Sequence, residues 1–237
     1  GRRLGATAIG TGHYARVASV DGRLCPAVPH DRGKDQTYFL FSLDQDQLAA
    51  ARFPLGAYRK QEVRALAAAR AMPNARKDES QDLCFVGPDG VGGFLRREVP
   101  EAFAPGPIEL ADGTRLGEHR GLPGITVGQR KGLGVAWREP LYVLALDVAR
   151  NAVILGPRRA LLVTEAWLRD CRWHLTPQLP PGGLACRVRN RHRAPPVPAT
   201  IVPADLPGGG HGARVVYRQP VPRPAPGQAG VAYDEIG

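Results

Sequence analysis

The sequence predicts an α/β segment followed by β structure, and three observations carry that reading. Residues 42–71 contain two stretches whose side chains recur at helical spacing, each flanked by residues that start or stop helices. Pro100, Pro105 and Pro107 close this part. From Ile108 onward short β-like runs alternate with turn residues, the spacing of one or two small β-barrels. A length of 237 residues, 43% of them hydrophobic, supports one large domain or two small ones with a real core.

The elements follow in order. Residues 6–24 read as strand, turn and strand, with Asp21-Gly22 as a hairpin turn. Within them Gly10-Thr11-Gly12-His13-Tyr14-Ala15 fits G-x-G-x-x-A, but the β-like continuation denies the helix that a dinucleotide loop requires. The glycines instead suit close approach to the backbone at a strand end. Ser42-Leu43-Asp44-Gln45 fits a capping box opening a short helix through Ala51, ended by Pro54 and Gly56. A second helix is expected from Lys60 to about Ala71, with Val63, Leu66, Ala67 and Arg70 at helical spacing and Pro73 beyond. Neither helix can bury its apolar face without strands to pack on. A turn or two of helix is expected over 94–99, and then the β-like runs "LYVLALDVARNAVILG", "CRVRNRHR", "ARVVYRQPV" and "GVAY", with loops at 180–183 and 207–210.

A formal charge of +10 and a pI near 10.0 exceed what solubility needs and suit a polyanion, nucleic acid first. An arginine-biased, solvated surface explains the same excess. No apolar run is long enough to span a membrane and the N-terminus lacks a signal-peptide core, so a cytoplasmic protein without membrane partners is expected. The chain starts without Met, in what reads as the middle of a fold, and is expected to be a fragment. Its 4 cysteines, Cys25, Cys84, Cys171 and Cys186, form no C-x₂₋₄-C pair, so no zinc site or disulfide framework is expected. Cys25, Cys171 and Cys186 read as small buried hydrophobes in strand-like segments.

Four stretches could carry chemistry. If "CRVRNRHR" is one strand, Arg187, Arg189, Arg191 and Arg193 share a face at a pitch of about 6.6 Å, which suits a phosphate backbone, while Cys186, Val188 and Asn190 face a core. A charged solvent face fits equally well. "GQRKGLG" sets Arg130 and Lys131 among three glycines without a Walker frame, so a charged β-turn is the commoner explanation. "GKDQTYF" places Lys34, Asp35 and Gln36 before two aromatics, which suits either an unstacked base or a helix-entry loop. In "KDESQDLCFVG", carboxylates would raise the Cys84 thiol and Arg76 and Lys77 would lower it, and no His partner is legible.

Taken together, "GTGHYARV", "KDQTYFLFSL", "FPLGAYRKQEVRALA", "DLCFVG", "PGPIELADGTRLGEHRGLPGITVGQRKGLG", "PLYVLALDVARNAVILG", "RVRNRHR" and "PGQAGVAY" stand in the order seen in tRNA-specific 2-thiouridylases, and the chain resembles that family over nearly its whole length. The resemblance implies residues 1–90 as the C-terminal part of a PP-loop ATP-pyrophosphatase-type α/β domain, 91–157 as a central β domain and 158–237 as a C-terminal β-barrel, open at one edge. It implies a sulfurtransferase that uses ATP, with Mg, to adenylate the C2 oxygen of the wobble uridine of tRNA and replaces that oxygen with persulfide sulfur from an upstream cysteine desulfurase or relay protein.

By motif, Cys84 is the persulfide carrier and Gly12 a nucleotide contact. His13, the triplet Lys34, Asp35 and Gln36, the pair Arg191 and His192, and Gln228 match tRNA contacts. His192 stands where the family often has Tyr, keeping a flat ring. The family's S-G-G-x-D-S loop and the upstream cysteine that ends in a disulfide with the carrier do not occur in this sequence, so the chain alone is expected not to turn over. A non-catalytic RNA-binding β-barrel protein is the alternative, and an unrelated nucleotide-activating ligase a third reading.

Overall fold

The computed structural model describes residues 5–73, 75 and 89–234. The chain forms two compact units: Gly1–Asp78 with Glu165–Arg218 and Gln228–Gly237, and Glu79–Thr164 with Gln219–Gly227. The layout is α/β plus β.

In the first unit β1 (Ile9–Gly10) lies parallel to β4 (Ala51–Arg52), and β2 (Arg16–Val20) and β3 (Arg23–Ala27) form the expected hairpin. Asp21 and Gly22 both take positive φ, 48° and 79°, the left-handed pair that a tight two-residue turn requires. A strand follows the glycine-rich stretch, which bears out the rejection of a dinucleotide loop. Helix α1 (Gln45–Ala50) starts two residues later than the capping box placed on Ser42. Its cap is Asp44, whose carboxylate accepts from Gln47 N while Gln47 Oε1 accepts from Asp44 N. The reason is the preceding 3-10 turn at Thr37–Leu40, since the Leu43 N–H is already given to the Leu40 carbonyl.

Helix α2 (Lys60–Ala69) is opened by Glu62 accepting from Arg59 N and stops at Ala71, which turns left-handed at φ 52° ahead of Pro73. It has no buried residue, whereas α1, expected like it to leave its apolar face uncovered, buries Leu48. The turn at Pro54–Ala57 presses on the segment after β1: a Cβ at Gly56 would collide with the Ala15 carbonyl.

The second unit contains helix α3 (Gly90–Glu98) and a four-stranded sheet built from β5 (Gly106–Leu110), β6 (Arg115–His119), β7 (Leu141–Asp147) and β8 (Ala152–Pro157) in the order β6-β5-β8-β7. Strands β5 and β8 are parallel and the other pairs antiparallel. Ile108, Leu133, Leu141, Val143, Val153 and Leu155 form its core. Leu133 belongs to "GQRKGLG", whose Gly128 N–H is donated to the Val143 carbonyl while Gln129 accepts from Thr126 N, so this stretch is a turn anchored to a core.

The strands β9 (Leu162–Leu168), β10 (Leu184–Arg189), β11 (Val197–Asp205), β12 (His211–Pro222) and β13 (Val231–Tyr233) form one five-stranded sheet in the order β13-β10-β11-β12-β9. The expected β-barrels are not closed among the described residues. Strands β13 and β9 are the two edges of this sheet and no pairing joins them among the described residues; the 3 residues of β13 pair with β10 alone, Arg187 opposite Tyr233 and Arg189 opposite Val231.

Candidate nucleic-acid interface

The expected arginine row is shorter than its sequence suggests. Strand β10 ends at Arg189, and Arg191 and Arg193 sit in a turn where Ala194 N donates to the Arg191 carbonyl and Arg193 takes φ 66°. Pro195 and Pro196 follow and cannot donate to a ladder, which stops the strand there. The alternation holds up to that point: Cys186 and Val188 are buried, as predicted. Arg187 and Arg189 do share a face, but Arg187 donates to the Pro196 carbonyl and Arg189 turns inward.

Arg189 joins two segments 154 residues apart. Its Nη1 lies 3.1 Å from Asp35 Oδ2, with the two side chains only 17% and 9% exposed. Its guanidinium also stands 4.9 Å from the centre of the Tyr233 ring, the diagonal neighbour that the β10–β13 register supplies. Asp35 Oδ1 accepts from both the backbone N and the hydroxyl of Thr37, and the Thr37 hydroxyl meets that of Tyr233 at 3.2 Å. The Tyr38 hydroxyl donates to the Ala229 carbonyl, beside Gln228. Burial pushes the Tyr38 and Tyr233 phenols upward, so both remain protonated donors at neutral pH.

Gln36 ties in the start of the chain: its Oε1 accepts from Tyr14 N at 2.8 Å and its backbone N donates to the Tyr14 carbonyl. His13 therefore sits one residue from this clamp, its Nδ1 2.9 Å from the Thr11 hydroxyl and its ring edge-on to Phe53. His192 packs its ring against Phe39 at 4.4 Å and near Tyr38 at 5.9 Å. Burial, then Arg193 and Arg189, hold its imidazole below the usual range, against a weaker pull from Asp35, so the ring is neutral at pH 7.

Of the residues singled out in the sequence, the fold thus connects His13, Asp35, Gln36, His192 and the neighbourhood of Gln228, with Arg191 and Gln228 exposed. Lys34 adjoins Asp35, its backbone N donating to the Asp31 carbonyl. Asp35 and Gln36 are engaged by the protein itself, which makes them holders of this surface. Arg189, Thr37, Tyr38, Phe39 and Tyr233 were not foreseen as a group. The signal was present only as two separately noticed motifs, and nothing in a sequence pairs positions that far apart.

Gly12 follows β1 and is exposed; a Cβ there would meet only the Leu55 side chain, at 3.9 Å. Packing does not require glycine at this strand end, which fits a position left small for a ligand near the backbone. Among the described residues no three His, Cys, Asp or Glu side chains gather as metal ligands, and no helix is long and apolar enough to cross a membrane. Cys84 lies outside the described residues. Cys186 is buried in β10 and pushed up to about 11 by burial. Cys25, in β3, and Cys171 are half-buried and raised by burial, then by Asp234 and Asp170 respectively. Cys171 lies in the loop after β9 rather than in a strand. None of these three is a ready thiolate at neutral pH.

Three family models match in sequence along the chain: the tRNA methyl transferase HUP domain over residues 1–88, the tRNA methyl transferase PRC-barrel domain over 92–157 and the aminomethyltransferase β-barrel domain over 163–236. Among curated proteins the chain is 46% identical over 99% of its length to the tRNA-specific 2-thiouridylase MnmA of Chloroflexus aggregans. It is 43% identical over 98% to that of Syntrophotalea carbinolica and 45% identical over 98% to that of Magnetococcus marinus. The chain spans 63–64% of the length of these relatives. Along essentially all of its residues the chain is therefore similar to a part of the tRNA-specific 2-thiouridylases.

Proposed function

We propose that this chain is the RNA-holding and sulfur-carrying portion of an enzyme that replaces the C2 oxygen of the wobble uridine of tRNA with sulfur. The observation that carries the reading is the network of the first unit. Residues which the family resemblance assigns to tRNA, drawn from positions 13, 34–36, 191–192 and 228, are linked through Gln36–Tyr14, Asp35–Arg189 and Tyr38–Ala229. In this reading Lys34, His13, Arg191, His192 and Gln228 face the RNA, and Asp35 and Gln36 fix the loop that presents them. A basic protein of net charge +10 gains affinity for RNA by displacing its counterions.

Cys84 would hold the incoming sulfur as a persulfide, received from a cysteine desulfurase or relay protein, and end in a disulfide with a thiol that the family carries upstream. ATP, when bound, supplies the activation that turns the C2 oxygen into a leaving group, and Gly12 would lie against it, with Mg as its counter-ion. The three-part organisation at 1–90, 91–157 and 158–237, as a PP-loop-type α/β part and two barrel-type parts, belongs to the same proposal, as does a cytoplasmic location. Among the described residues the thiols of Cys25, Cys171 and Cys186 are all raised by burial, which counts against each of these three as the sulfur carrier.

The test is to supply the intact protein with a cysteine desulfurase and sulfur-labelled cysteine, and to locate the label by mass spectrometry. Wild type is expected to carry persulfide on Cys84, and Cys84→Ser to lose it together with tRNA thiolation. Equal labelling of the two proteins would remove Cys84 from the mechanism and leave RNA binding alone.

A further inference from the structure

The 3-10 turn Thr37–Leu40 buries Thr37, Tyr38 and Leu40, yet leaves Phe39 50% exposed. This is a rigid display of an aromatic ring. Before Phe39, Thr37 is held by Asp35 and Tyr233 and Tyr38 by the Ala229 carbonyl; after it, the Leu40 carbonyl accepts from Leu43 N, so the backbone on both sides of Phe39 is pinned. The His192 ring lies 4.4 Å from that of Phe39 at 42°, and Tyr38 meets it edge-on at 5.7 Å and 85°. His192 Nδ1 is buried and has no hydrogen-bond partner among the described residues, so the imidazole works here as a flat packing surface. On either side of it, Arg191 and Arg193 are exposed on the turn that follows β10.

We propose that Phe39 is a stacking face for an unpaired nucleobase of the bound RNA, backed by the His192 ring and flanked by Arg191 and Arg193 for the adjoining phosphates. The proposal rests on the RNA-binding reading above and adds to it a residue and a ligand class that the motif resemblance did not assign. A single exposed ring packed on His192, whose chain neighbours are two exposed arginines, is too small and too charged a patch for an apolar protein partner, whereas a base with its phosphate presents one flat face and one negative charge. Base–aromatic stacking is sequence-tolerant, so the site would read that a base is unpaired rather than which base it is.

The experiment compares wild type, Phe39→Leu and Phe39→Trp, in the intact protein, for binding to an RNA stem–loop, to the same loop carrying single abasic positions, and to a fully paired RNA duplex. Phe39→Leu is expected to weaken stem–loop binding about tenfold, leave duplex binding unchanged and abolish the penalty of one particular abasic position. Phe39→Trp is expected to bind at least as tightly as wild type. The proposal is overturned if Phe39→Leu binds the stem–loop like wild type, if it loses stem–loop and duplex affinity equally, or if Phe39→Trp is as weak as Phe39→Leu. Failure of the wild-type protein to bind either RNA would instead refute the RNA-binding reading itself, and this inference with it.

Discussion

Among the described residues each unit has a carboxylate that is nearly shut off from water and an arginine that answers it, but the two pairs are built differently. In the second unit Glu109, 9% exposed, meets Arg150 at 2.7 Å, and the arginine is 59% exposed and also near Asp147. In the first unit Asp35 is equally shielded, but Arg189 is only 17% exposed and lies over an aromatic ring. The Glu109 pair is a surface cation bent over a strand; the Asp35 pair is a polar core. Losing one partner from a solvated pair lets water replace it, whereas losing one from a desolvated pair strands the other charge. The difference teaches that the first unit commits stability to holding one loop, which is what a surface that must present side chains in fixed positions needs.

The largest expected effect tests this directly. Arg189→Ala should destabilise the first unit by about 3 kcal/mol in urea or thermal unfolding, since it leaves the Asp35 carboxylate buried without its cation. Removing both charges with Asp35→Asn and Arg189→Met should recover most of that loss, because the amide oxygen can still accept from Thr37 while nothing charged remains inside. A double variant as unstable as the single would show that the contact, and not the stranded charge, matters. Arg150→Ala should cost about 1 kcal/mol or less; a loss equal to that of Arg189→Ala would erase the distinction between the pairs.

The smallest effect is a pH dependence at His192. Its pKa is held below the usual 6.5 in the folded protein, chiefly by burial. The unfolded chain therefore takes up a proton first as pH falls, so the contribution of the neutral ring is present in full above about 6.5 and is lost as pH drops through the lowered value. His192→Gln should flatten that part of the stability profile, as followed by chemical denaturation between neutral and mildly acidic pH.

Much of the local architecture was legible because its causes are local. Asp21-Gly22 demanded a hairpin, Pro73 bounded a helix, and period-two alternation placed Cys186 and Val188 inside. The cap of α1 was misplaced by two residues because an unforeseen 3-10 turn consumed the earlier donor. The arginine row failed at Arg191 because alternation was extended through a stretch that Pro195 and Pro196 forbid from pairing. Barrels were expected from strand spacing, the C-terminal one open at one edge, and spacing does not say which strands meet. The candidate site was half legible: its motifs stood out as residues, but their convergence depends on long-range pairing of β10 with β13 and of Asp35 with Arg189.

That convergence bears on how the protein is made. The salt link between positions 35 and 189 closes a loop of more than a hundred and fifty residues, and its aromatic lid at Tyr233 lies beyond both. During synthesis from the N-terminus, the loop carrying Lys34 and Phe39 cannot be locked until β13 has left the ribosome. A chain that stops short of Tyr233 consequently lacks the assembled surface around Asp35, Arg189 and Phe39, and only a polypeptide translated through Tyr233 acquires it.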